Sequence, residues 1–394
     1  MNAHQIILLL LIGYMVFSID KKKNYFPVPV VLVLLGLILA PIPYFAEVTI
    51  TKGLIFNVFL PALLFISAYS FPLKALKKNK WIITCLGTVG LLLTVSLLGI
   101  LIYFVSNLFV QFTWIGALLI AAILTPTDPV SVVSILKETS SDKKIADVVE
   151  GESLLNDGTS IVIFTVLLGM FVNETSFSFS TLIGEFLIVS LGGIFIGISF
   201  GWLMSKAVHY THDRQYQVML SVIVAYGSFY IGEIIGVSGV LATVSAGLML
   251  SWEFGKNSKE DHFRNSLDGF WSIVEPSFLS LLFLLIGIQA GDYLIFPEWY
   301  LAIIIFILSI IVRFVILISL TQTIPAWKHQ FSMKDTSLIT WSGIKGTMSI
   351  ALLMGLEVAS DKNDILISLT FAAVLLSLVI QSAGIYPLTR RLKG

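Results

Sequence analysis

Thr125-Pro126-Thr127-Asp128-Pro129 sits in the middle of the apolar stretch 112–136, and Glu150-Gly151-Glu152-Ser153-Leu154-Leu155-Asn156-Asp157-Gly158 opens the next apolar stretch. Each proline removes a backbone donor and clashes with the preceding turn, so 112–136 cannot be one continuous helix. Inside a bilayer such a break persists only where protein surrounds it or where it lines a cavity. An ionisable side chain at that depth costs about 2.5–3.5 kcal/mol on insertion scales, so several together mark a transport pathway.

The composition supports burial in lipid. Only 12% of the 394 residues are charged and 57% are hydrophobic, with a mean hydropathy of +0.94. A soluble domain carries about 25% charged residues, so the expected class is an all-α integral membrane protein. A formal net charge of zero argues against nucleic-acid binding. The single cysteine, Cys85, leaves no internal disulfide and no Cys-based metal site. No P-loop pattern is present, so no nucleotide site and no cofactor is expected. The first apolar run, 6–19, lacks a basic leader and a small-residue cleavage site, and reads as a retained helix.

Runs of about 20 apolar residues are needed to span. Thirteen are found, at about 4–19, 27–45, 52–71, 81–106, 112–136, 146–172, 180–208, 215–235, 237–252, 269–290, 298–321, 335–357 and 363–388. Charge tests this number independently. Twenty of the twenty-four Lys and Arg residues fall after odd-numbered spans or at the C-terminus, whereas only Lys52 and Lys362 fall on the other side. The positive-inside rule then places the N-terminus outside and the C-terminus in the cytoplasm of a multi-pass protein.

Span 12 has a second suspicious centre, Trp341-Ser342-Gly343-Ile344-Lys345-Gly346-Thr347, in which two glycines flank a basic residue in an otherwise apolar run. Span 5 is the middle of triplet 4-5-6, and span 12 is the middle of 11-12-13, which starts on the opposite side of the membrane. Interrupted helices at matching positions of two inverted units point to a secondary transporter's substrate site. Asp128 is expected near exposed helix N-termini and Lys345 near exposed C-termini, the signs that complement each dipole.

At these residues the chain resembles the cation/proton antiporter superfamily, in the branch of bacterial NhaP-type and animal NHE-type sodium/proton exchangers. Thr127-Asp128-Pro129 is similar to that family's unwound-helix motif, and Gly151-Glu152-Ser153 through Asn156-Asp157-Gly158 to its Asn-Asp signature. Phe59-Leu60-Pro61-Ala62-Leu63-Leu64-Phe65, Gly239-Val240-Leu241-Ala242, Phe283-Leu284-Leu285-Ile286-Gly287 and the intramembrane Arg313 agree in order.

The resemblance implies an inverted-repeat antiporter fold with about 13 transmembrane helices. Its core would be helices 4–6 (81–172) and 11–13 (298–388), and helix 7 (180–208) would join it to the scaffold. Helices 1–3 (1–71) and 8–10 (215–290) would form that scaffold and a homodimer surface. It also implies ion ligands at Asp128, Asp157, Ser153 and the Thr127 carbonyl. Glu152 would approach the ion through water while pairing with Arg313, and Asn156 would brace the break made by Pro126 and Pro129. The implied activity is exchange of Na⁺ for H⁺, serving sodium transport and pH homeostasis in the cell membrane, here a bacterial plasma membrane. Li⁺ and K⁺ are alternative cargoes. Two departures stand out. Lys345 occupies a position where the family carries arginine, so it keeps the charge without the bidentate fork. The sequence also stops at Gly394, so no regulatory tail or calmodulin-type control is expected.

The residues themselves suggest a division of labour. Glu152 and Asp157 are separated by about 500° around a helix, which leaves them about 140° apart. Asp157 is therefore expected to face the break and Glu152 another helix, with Ser153 on the face of Asp157. Asp128, Asp157, Ser153 and a freed carbonyl make an all-oxygen set that suits a hard cation. Dehydration disfavours the charged form of a carboxylate, and two neighbouring carboxylates titrate as a pair. A proton and a cation would then compete for one site. Asn156 is neutral where electrogenic relatives carry a second aspartate, so the expected exchange is one cation per proton. Glu150 reads as a solvated rim residue, Glu275 with Pro276 either as a second kink near the cavity or as an interfacial or structural charge, and Glu185 and Glu233 as span-end charges. A K⁺/H⁺ antiporter would use the same site. A cation channel or uniporter needs no proton competition, an organic-anion carrier would line its site with bases, and a hydrolase built on Ser153 lacks a histidine or metal partner. The chain is not expected to be an enzyme.

Overall fold

The computed structural model describes residues 2–23, 27–46, 48, 50–128, 132–133, 136, 143–173, 177–207, 213–254, 261–359 and 364–393. Pro129, expected to complete the first break, lies outside the described residues. The order of the spanning elements is α1 (Ala3–Lys23), α2 (Val28–Leu39), α3 (Lys52–Ser70), α4 (Leu73–Ser106), α5 (Trp114–Ile123), α6 (Lys143–Val172) and α7 (Phe179–Ala207). It continues through α8 (Arg214–Ile235), α9 (Gly239–Phe254), α10 (Asp261–Tyr293), α11 (Trp299–Thr323), α12a (Met333–Trp341) and α12b (Thr347–Ala359). The last, α13, runs as Asp364–Leu376, a π turn over Ser377–Gln381, and Ser382–Lys393. Among the described residues, nine helices are long and apolar enough to cross a membrane, and shorter apolar helices at Val28–Leu39, Trp114–Ile123, Gly239–Phe254 and Thr347–Glu357 account for the other four expected spans.

Two helices run well past their apolar segments. α4 starts at Leu73 rather than at 81, and α10 at Asp261 rather than at 269. Both extensions carry charge (Lys74, Lys77, Lys78 and Lys80 in the first), which a hydropathy reading takes as loop although lysine is a good helix former. Between α8 and α9 the chain reverses in three residues. Gly236 takes φ +82°, and Val237 N–H donates to the Gly232 carbonyl at 2.9 Å. Only a residue without Cβ adopts that left-handed cap freely.

Packing falls into two sets. Helices α4, α5, α6, α11, α12a, α12b and α13 contact one another, and α1, α2, α3, α8, α9 and α10 do likewise. α7 touches both sets through α6, α8 and α9. Its seam with α9 is made by small residues. A Cβ at Gly193, Gly197 or Gly201 would fall 2.5, 2.2 or 2.9 Å from the carbonyl oxygens of Ser238, Ala242 and Ala246. Lipid gives helices no hydrophobic reason to associate, so close backbone approach of this kind holds them together.

Candidate functional site: two crossed helix breaks

Each break leaves helix ends whose carbonyls and amides have no partner of their own. α5 stops at Ile123 and residues 124–128 are not helical, while residues 342–346 separate α12a from α12b. The two irregular segments satisfy one another. Asp128 N–H donates to the Ile344 carbonyl at 2.8 Å, and Thr347 N–H donates to Asp128 Oδ2 at 3.2 Å. Lys345 Nζ donates to the Thr125 carbonyl at 3.3 Å. The acid thus lies at the N-terminus of α12b and the base just beyond the C-terminus of α5, each opposite in sign to the dipole it meets. The fit is tight, because a Cβ on Gly346 would lie 2.2 Å from Asp128 Oδ2.

α6 brings the second acidic segment alongside. Asn156 grips Thr127 at both ends. Its Nδ2 donates to Thr127 Oγ1 at 2.8 Å, and its Oδ1 accepts from Thr127 N–H at 3.4 Å. The Ser153 hydroxyl donates to the Thr127 carbonyl in a short hydrogen bond. Two of the oxygens expected as ion ligands are therefore joined to each other here. Ser153 keeps its lone pairs for a further partner. Asp157 lies within Coulombic reach of Asp128, and its Oδ1 is enclosed and accepts no hydrogen bond. Thr125, Pro126, Thr127 and Asp128 are all buried.

Glu152 turns away from this group, as its place around the helix requires. Arg313 Nη2 bridges both of its oxygens, at 2.9 Å to Oε1 and 3.0 Å to Oε2. Arg313 Nε is buried without a partner, and a Cβ on Gly343 would lie 2.4 Å from it. The arginine thus lies against the second break while pairing with α6. Arg313→Ala would leave Glu152 as an unpaired buried charge, a loss of about 3–5 kcal/mol. We expect a sharp fall in the melting temperature of the detergent-purified variant; an unchanged melting temperature would count against a stabilising pair.

Some participants were not foreseen from sequence. Ser377 and Gln381 on the π turn of α13 bond directly to the second break. Glu275, beside the in-helix Pro276, lies within Coulombic reach of Asp128 and Glu150, in keeping with a place near the cavity. Glu185 and Glu233 are more than span-end charges: with Lys52 they line a cavity of about 370 Å³ that also touches Ile161, Thr165 and Leu168 of α6 and Gly355 of α12b.

A profile of the sodium/hydrogen exchanger transmembrane family matches residues 6–391. The chain belongs to the sodium/hydrogen exchanger family. That family consists of transporters, not enzymes. Within it, the chain is 32% identical to the Na⁺/H⁺ antiporter NhaG of Bacillus atrophaeus over 387 residues, covering 94% of this chain and 71% of the relative. It is 31% identical to the Na⁺/H⁺ antiporter NhaH of Halobacillus dabanensis over 407 residues, covering 98% and 97%. The fold is similar to that of the sodium proton antiporter MjNhaP1 from Methanocaldococcus jannaschii, with a TM-score of 0.79 over 99% of this chain and 98% of that one, at 21% identity.

Proposed function

We propose that this exchanger swaps Na⁺ for H⁺ one for one, by competition at the crossing where Asp128 and Asp157 meet. Family membership carries the coarser statement, exchange of a monovalent cation for protons. The finer reading is supported above all by the enclosed Oδ1 of Asp157. It is an oxygen without a hydrogen-bond donor, within Coulombic reach of a second carboxylate. A bare carboxylate oxygen so placed is expensive unless it gains a proton or a cation. Ser153 and Thr127 would complete the cage for the ion. Glu152 would act through water, and Asn156, Arg313, Lys345 and Pro126 would hold the geometry.

The moving body would be α4–α6 with α11–α13, carried against a scaffold of α1–α3 and α8–α10, with α7 as the joint. Apolar side chains left exposed on α1, including Ile7, Leu11, Tyr14 and Ile19, suit lipid or a second copy in a homodimer. The charge distribution supports an N-terminus outside and a C-terminus in the cytoplasm. If motion requires a neutralised site, a proton or a cation permits it and an empty ionised site does not. The one-to-one ratio follows from Asn156, whose amide is engaged at both ends with Thr127 and adds no third carboxylate.

Reconstitution into liposomes tests this reading. Proton flux should appear on addition of Na⁺ and be compared with Li⁺ and K⁺ at matched concentrations; a K⁺-only response would move the assignment to K⁺/H⁺ exchange. At fixed ion gradients the rate should not respond to an imposed membrane potential. A voltage-dependent rate would contradict electroneutrality, and cation flux without proton movement would indicate a channel or uniporter.

A further inference from the structure

The break in α12 is held from behind by α13. The last carbonyl of α12a, on Trp341, accepts from Gln381 Nε2 at 3.1 Å, and Trp341 Nε1 donates to the Gln381 carbonyl at 2.9 Å. The Ser377 hydroxyl donates to Gln381 Oε1 and accepts from Lys345 N–H at 3.0 Å. Both side chains are buried, Ser377 at 0% and Gln381 at 1% exposure. They sit at the two ends of one π turn, Ser377–Gln381. Such turns leave backbone groups free and occur often at functional sites.

What this network touches gives it a consequence beyond packing. Lys345, whose amide Ser377 holds, lies between the two residues that grip Asp128. Ile344 accepts from Asp128 N–H, and Thr347 donates to its Oδ2. Residue 345 has nothing else on its backbone N–H to fix it, since the segment 343–346 is not helical. We propose that Ser377 and Gln381 are positioning residues for the cation site, setting the place of Asp128 through the backbone of residues 344–347. This rests on the exchange reading above and names which part of α13 that site depends on. The relay is neutral throughout. Gln381 serves as donor and acceptor at once, which a carboxylate could not do. Because α13 satisfies the open backbone of α12, the two travel together whenever the crossing moves.

The test is steady-state exchange in proteoliposomes with Ser377→Ala, Gln381→Met and Ser377→Thr, alongside the unaltered chain. Ser377→Ala removes both hydrogen bonds of the Ser377 hydroxyl, the one donated to Gln381 Oε1 and the one accepted from Lys345 N–H, and should raise the apparent KM for Na⁺ about tenfold. Its maximal rate should stay within about twofold, because ligand placement rather than helix motion is affected. Gln381→Met should act in the same direction, and Ser377→Thr, which keeps the hydroxyl, should return KM towards that of the unaltered chain. A purely structural role would lower thermal stability or maximal rate and leave KM unchanged, and that pattern overturns the proposal. If Gln381→Met does not fold, Ser377→Ala decides. If Ser377→Ala does not fold while Ser377→Thr exchanges normally, the hydroxyl serves stability and the proposal falls. Absence of any cation-coupled flux in the unaltered chain would overturn the exchange reading and this inference with it, whereas flux with unchanged KM in the variants overturns this inference alone.

Discussion

Gly346→Ala is expected to reduce Na⁺-coupled proton exchange by about 100-fold or more, in a protein that still folds. An added Cβ would lie 2.2 Å from Asp128 Oδ2 and 2.5 Å from Asp128 Cβ. The backbone cannot retreat easily, because Asp128 N–H is bonded to the Ile344 carbonyl two residues away. The carboxylate must therefore swing out and lose the Thr347 amide. Overpacking of this kind costs about 1–3 kcal/mol of stability, which a polytopic bundle tolerates. With Asp128 as the ligand proposed above, a displacement of about 1 Å would cost about 100-fold in rate. Gly169→Ala, on α6 with nothing within 4 Å of its added Cβ, is the control and should exchange normally. Flux in liposomes together with melting in detergent separates the two variants. Wild-type exchange by Gly346→Ala would show that the cage does not need Asp128 in this position.

Asp157→Asn should abolish exchange outright while leaving the protein at least as stable. The enclosed Oδ1 accepts no hydrogen bond, so replacing one oxygen by an amide nitrogen breaks none there. A neutral amide is also cheaper to bury than a carboxylate. What disappears, on the proposed reading, is the group that would take up the proton and supply charge to the cation. A ligand that binds only the folded state raises its melting temperature, so Na⁺ should protect the unaltered chain against heat and should not protect Asp157→Asn. Residual Na⁺-driven proton flux in a folded Asp157→Asn protein would remove Asp157 from the mechanism.

Local chemistry made much of this legible. Prolines, glycines and charges inside apolar runs marked both breaks, and the lysine asymmetry supported the span count. A five-residue separation on one helix was enough to turn Glu152 away from Asp157, and the structure places Glu152 against Arg313. The parts that could not be read depend on crossing geometry. Nothing about Gly346 in the sequence says that its missing Cβ leaves room for the Asp128 carboxylate. Ser377 and Gln381 look like ordinary neutral residues in an apolar helix, and become informative only when the π turn sets them against residues 341 and 345. Glu185, Glu233 and Lys52 are far apart in the chain, and only packing gathers them around one cavity. Helix ends outrun the apolar stretches where charged residues carry the helix on, as with the lysines of α4.

On the exchange reading, one site holds either a hydrogen ion or an alkali cation. Its most direct measurement is proton release from detergent-purified protein in weakly buffered solution as Na⁺ is added, followed with a pH indicator beside calorimetric binding of the cation. Close to one proton should be released per Na⁺ bound at a pH where the empty site is protonated, and none from Asp157→Asn. Na⁺ binding to the unaltered chain without proton release at any pH would contradict it.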